Sequence, residues 1–212
     1  SPEGAYTIAT EPKFITVNKN ADYLTFRGLN FRCCSDDAIA VKGSNFTFDG
    51  CSITYVGGKF AFLAQNGYNV KFTNNTVAYC AENGVFIAAP KYNKNPDYFM
   101  LKKTGCLVDN NLVHDVGMMS VPVETAAIKV ESQIGAVVSH NEVYNSARYG
   151  IEFKYSNIEC VVEYNYVHDC MQNSSDGGAL YCGRTAIHRG GVVRYNIIAD
   201  IFPLSRIHTG GT

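Results

Sequence analysis

Apolar and polar positions alternate along most of this chain in short runs broken by Asn and Gly. Aligned on their apolar positions, seven runs share one register: LTFRGLNF (24–31), FTFDGCSI (46–53), VKFTNNTV (70–77), CLVDNNLV (106–113), AVVSHNEV (136–143), CVVEYNYV (160–167) and GVVRYNII (191–198). One column reads Phe26, Phe48, Phe72, Val108, Val138, Val162 and Val193. Another reads Phe31, Ile53, Val77, Val113, Val143, Val167 and Ile198. Such columns, separated by polar ones, have the period of a strand with one buried face. Successive units stand 22, 24, 36, 30, 24 and 31 residues apart. A constant core unit with variable insertions is the mark of a solenoid.

Between the two apolar columns the chain places Leu29, Cys51, Asn75, Asn111, Asn141, Asn165 and Asn196. Five Asn at one repeat position predict stacked turns in which each amide bonds the next, at a site where Asn also tolerates left-handed backbone. Each unit carries a further apolar stretch, for example AIKV (127–130), GIEF (150–153) and GALY (178–181). Two short strands per unit leave no room for a crossover helix, which excludes βαβ units. The pattern predicts an all-β parallel β-helix of about seven coils, roughly 30 Å long at about 4.8 Å per coil. Residues 90–105 and 117–124 read as loops projecting from the rod.

Composition adds exclusions. The 212 residues carry 18 Lys+Arg against 19 Asp+Glu, a net charge of −1. That balance gives no electrostatic footprint for nucleic acid, so none is expected as a partner. No apolar run approaches the roughly 20 residues that span a bilayer. Eight Cys fall mostly into the repeat: Cys34, Cys80, Cys170, Cys106 and Cys160 occupy inward columns as small buried hydrophobes, and Cys33 and Cys182 occupy outward ones. No spacing resembles a structural zinc site, and no metal or cofactor is expected. The pairs His114-Asp115 and His168-Asp169 share one repeat position, which favours a structural turn. Asp36-Asp37 suits either a calcium ligand pair or, more simply, a turn cap.

With the core fixed by stacking, chemistry falls to the outward columns. On the second apolar stretch these are Lys129 and Glu131, then Glu152 and Lys154, then Leu180 and Cys182, so that Lys129 stands beside Glu152 and Glu131 beside Lys154. Cross-strand opposite charges stabilise a sheet modestly. The same strip, flanked by Tyr149, Tyr155 and Tyr181, also suits the floor of a sugar-binding groove, since Tyr offers an apolar face and a hydroxyl. Asp176 precedes two glycines one coil beyond Glu152. Paired carboxyls about 5–5.5 Å apart serve retaining glycosidases and those 6.5–9.5 Å apart inverting ones, which makes Asp176 and Glu152 the candidate catalytic pair.

The stretches FRGLNFRCCSDDAIAVKG, VVSHNEVYNSARYGIEFKYSN, VVEYNYVHDC and DGGALYCGRTAIHRGGVVRYNIIADI resemble right-handed parallel β-helix proteins of the pectate-lyase-like superfamily. More narrowly, they look like secreted bacterial β-helix glycoside hydrolases. That resemblance implies extracytoplasmic degradation of poly- or oligosaccharides, with Asp176 catalytic and Arg184 and His188 in the substrate site. It also implies a single domain over 1–212 that belongs to a longer protein with flanking coils or domains. Two other classes stay open: a polysaccharide lyase acting on uronate polymers, with Ca²⁺ as its cofactor and the Lys129/Lys154 strip as base, and a non-catalytic glycan-binding or adhesin rod.

Overall fold

A computed structural model describes residues 7–91, 96–119, 121–122, 124–183 and 188–201. The repeat units wind into seven coils whose strands form three sheets of seven strands each. Every pairing is parallel and joins a strand to its counterpart in the next coil, as in Val108 between Phe72 and Val138. Parallel crossovers of this kind are right-handed. The molecule is a right-handed parallel β-helix.

Each coil contributes three strands where two were expected. In the fourth coil, for instance, the run CLVDNNLV divides into Leu107–Asp109 and Leu112–Val116. The bend between them takes only two residues, too short to interrupt the apolar alternation by which strands are read from sequence. It is made by a left-handed residue directly before each ladder position: Gly28, Gly50, Asn74, Asn110, His140, Tyr164 and Tyr195 all have positive φ. The ladder Asn themselves do not; their role is hydrogen bonding alone. Asn75 donates its amide to Asn111 at 3.2 Å, Asn111 to Asn141 at 2.8 Å, Asn141 to Asn165 at 2.9 Å and Asn165 to Asn196 at 2.9 Å. Each also donates to a carbonyl of the preceding coil, as Asn141 does to Val108 at 3.0 Å.

The bore is filled by the predicted apolar columns. Phe48 and Phe72 stack at 5.6 Å and 1°, and beyond them Val108, Val138 and Val162 continue the column at 0–3% exposure. All eight cysteines are free, six of them buried. Asp37 ties its turn to the next coil by accepting the Phe60 amide at 2.9 Å.

Three expectations change. The segment over 90–105 does not simply project: its short helix Pro96–Phe99 turns Tyr98 back onto Ile134 and Ile158, and the Tyr98 hydroxyl donates to the Ser156 carbonyl at 3.0 Å. An aromatic ring with a polar tip gains more by docking on the rod than by facing water. The segment over 117–124 likewise ends against the rod, through Glu124. Finally, one strand of the seventh coil, Leu180–Gly183, is shifted by one residue from the expected register, because Ile151 pairs with Leu180 and Glu152 with Tyr181, while its other two strands keep theirs. A slip of one flips every side chain, so Leu180 and Cys182 take the inward columns and Tyr181 the outward one. In the turn before this strand Gly177 has a φ of +153°, and a Cβ there would lie 2.6 Å from the Tyr149 ring.

Candidate functional site

On the outer face of the first sheet lies a groove of about 760 Å³, lined among others by Phe60, Phe86, Glu124, Lys129, Glu131 and Tyr155. Its strands supply alternating outward residues, and parallel stacking sets Lys129 level with Glu152 and Glu131 level with Lys154, the expected pairing. Phe60 and Phe86 stack at 5.2 Å, with the Lys129 ammonium 5.2 Å from the Phe86 ring centre.

The charges form one cluster. The buried Lys129 ammonium lies 3.1 Å from Glu124, 3.2 Å from Glu131 and 3.3 Å from Glu152. Lys154, equally buried, contacts the other oxygen of Glu124 and lies 3.7 Å from Glu152. Tyr155 donates its hydroxyl to Glu124 at 3.5 Å. Three carboxylates therefore share two ammoniums.

Their protonation preferences diverge. Burial works to raise Glu124, but the hydrogen bond from Lys154 and the charge of Lys129 outweigh it and hold the group down to about 2. Burial raises Glu131, and Lys129 only partly offsets it. Burial also raises Glu152, against Lys129 and Lys154. For Lys129 burial lowers the value, yet Glu152, Glu131 and Glu124 together lift it above its ordinary range. Neighbouring carboxyls pushed in opposite directions are the physical basis of acid/base division.

The other expected site residues are dispersed. Asp176 is not in this cluster: its carboxylate accepts from the buried Arg148 guanidinium at 2.6 Å, and its side chain is 62% exposed. Glu152 is at the cluster's base with its side chain at 0% exposure. Tyr149 and Tyr181 stack on each other at 4.3 Å and do not line the groove. His188 is not at the groove either; it lines a separate depression with Phe153, Cys160 and Cys182. Arg184 lies outside the described residues. Glu124 was missed from sequence because it belongs to an insertion rather than to the repeat. Its only signal is an acid next to the start of the strand that carries Lys129.

A family model described as "Right handed beta helix region" matches residues 14–96. No curated protein matches the chain. The family match covers the early coils and stops before Glu124, so the acid cluster is read from its own geometry. Among the described residues no group of three His, Cys, Asp or Glu is placed to hold a metal ion, and no helix is long and apolar enough to cross a membrane.

Proposed function

We propose that the groove binds a poly- or oligosaccharide and hydrolyses a glycosidic bond, with Glu131 as general acid and Glu124 as nucleophile. What supports this is the convergence of two carboxyls on the buried Lys129 ammonium beside the groove, one raised by burial and the other lowered by its two ammoniums. Glu124 and Glu131 each touch Lys129, at 3.1 and 3.2 Å. Their nearest oxygens are therefore at most about 6.3 Å apart, short of the roughly 6.5–9.5 Å that inverting enzymes need to admit a water.

In the first step Glu124 attacks the anomeric carbon, the glycosidic C–O bond breaks and the Glu131 proton passes to the departing oxygen. In the second, water attacks the glycosyl ester, its proton goes to Glu131, and Glu124 leaves as carboxylate. Phe60 and Tyr155 supply apolar and hydroxyl surface for sugar rings. A lyase base must be unprotonated at working pH, and Lys129, raised by three carboxylates, is poorly suited to that role. A glycan substrate is also what supports the extracytoplasmic, cell-surface or secreted setting in a bacterium.

Replacing Glu124 or Glu131 by Gln should each lower turnover of a susceptible oligosaccharide by about 10²–10⁴-fold, with the product anomer initially retained by proton NMR. Asp176→Asn is the comparison. If it alone abolishes turnover while Glu124→Gln is fully active, the pair assigned here is wrong and Asp176 takes its place. Glycan binding with no turnover by the unaltered protein leaves a binding module instead.

A further inference from the structure

We infer that Glu152, buried beneath the groove floor, is a positioning residue that keeps the transferable proton on Glu131. This rests on the hydrolytic reading above, and it moves Glu152 from the chemistry to its support. With its side chain at 0% exposure, Glu152 presents no atom to a substrate. Neither of its oxygens makes a regular hydrogen bond; it is held by charge alone, 3.3 Å from Lys129 and 3.7 Å from Lys154.

The arrangement is a competition for two cations. Glu124 engages both ammoniums, one through each oxygen. Glu152 also faces both. Glu131 contacts Lys129 alone, at 3.2 Å, and that cation already serves the other two. Three carboxylates on two buried ammoniums leave one negative charge uncompensated, which a largely buried site avoids by retaining a proton. The carboxyl with the smallest share of positive charge is Glu131. While Glu152 is ionised it draws Lys129 downward and leaves Glu131 the weakest counter-charge. The other titratable groups around Glu152 are Tyr149 on its own strand and Tyr181, level with it on the next. Tyr155 donates to Glu124, and its ring lies 5.1 Å from the Lys154 ammonium.

The test follows the carboxyl carbons of the full chain by NMR, using ¹³C-labelled glutamate, across a pH titration without substrate. In the unaltered protein Glu131 should titrate above both Glu124 and Glu152. Glu152→Gln removes a competitor for Lys129, and the Glu131 midpoint should fall by about one pH unit. Lys154→Met should do the opposite, because Glu152 then leans harder on Lys129. In an oligosaccharide assay the alkaline limb of kcat/KM should move with the Glu131 midpoint in each variant, a readout that a loss of packing would not shift. A Glu131 midpoint that is unmoved or raised in Glu152→Gln overturns the inference, as does Glu152 titrating highest. If Glu152→Gln fails to fold, the order of midpoints in the unaltered protein and the sign of the Lys154→Met shift still decide it. Because the titration needs no substrate, absent hydrolysis would sink the catalytic reading without altering these results.

Discussion

Among the described residues six tyrosines, Tyr23, Tyr55, Tyr79, Tyr155, Tyr164 and Tyr195, hold positive φ, a region that costs an L-residue with a Cβ about 1–2 kcal/mol. Stacking offsets part of that cost. Tyr55 and Tyr79 lie 4.7 Å apart, and Tyr164 stands 5.1 Å from both His140 and Tyr195. The rings face one another along the rod axis, so they are spent on each other. At Tyr79 both Ala and Gly remove the ring, but only Gly relieves the backbone. Tyr79→Gly should therefore be less destabilising than Tyr79→Ala by about 1 kcal/mol in chemical denaturation. At an ordinary strand position the order is reversed, since Gly there costs more backbone entropy than Ala.

The ladder is the element that makes the coil turn reproducible. Inner rungs are buried and saturated. Asn141 donates to Val108 and Asn165 and accepts from the backbone and amide of Asn111. Removing its side chain strands buried groups on two coils, at about 1–3 kcal/mol apiece. Asn196, the last rung among the described residues, is only partly buried and serves the single rung of Asn165. Asn141→Ala should lower the unfolding midpoint markedly more than Asn196→Ala. Equal losses would mean the ladder does not act through burial. The column of five Asn was legible in sequence because every rung repeats the same chemistry. The turn's left-handed residue was not, because Gly, Asn, His and Tyr all fill it and share no composition.

At the scale of the molecule, stacking brings together residues from 124 to 155 in a single charged cluster, and the cluster ties stability to pH. Glu124 is depressed from its ordinary 4.5 to about 2. Its ion pairs stabilise the fold above its unfolded value and are lost as pH falls from about 4.5 towards 2. Glu131 and Glu152 are raised and act in the opposite sense, adding stability below their unfolded values that is lost as pH rises through the folded ones. Thermal melts should show the unaltered protein more stable than Glu124→Gln at pH 6, with the gap closing between pH 4.5 and pH 2. A gap that stays constant over that interval would place Glu124 outside the ion-paired cluster.

Repeat chemistry was readable in the chain itself: the coil number, the inward columns, the Asn ladder and the pairing of Lys129 with Glu152. All of these depend on which residue types recur at which spacing, and a parallel stack turns spacing directly into contact. Only the folded molecule decided where the exceptions went. The one-residue slip at Leu180–Gly183 is a matter of which backbone groups pair across the coils, and it leaves no mark in the apolar alternation. The docking of Tyr98, the ion pair of Asp176 with Arg148 and the delivery of Glu124 to the groove all come from segments between repeats. Nothing in their own sequence fixes a position; they settle where buried charge and exposed apolar surface on the rod are left to be satisfied.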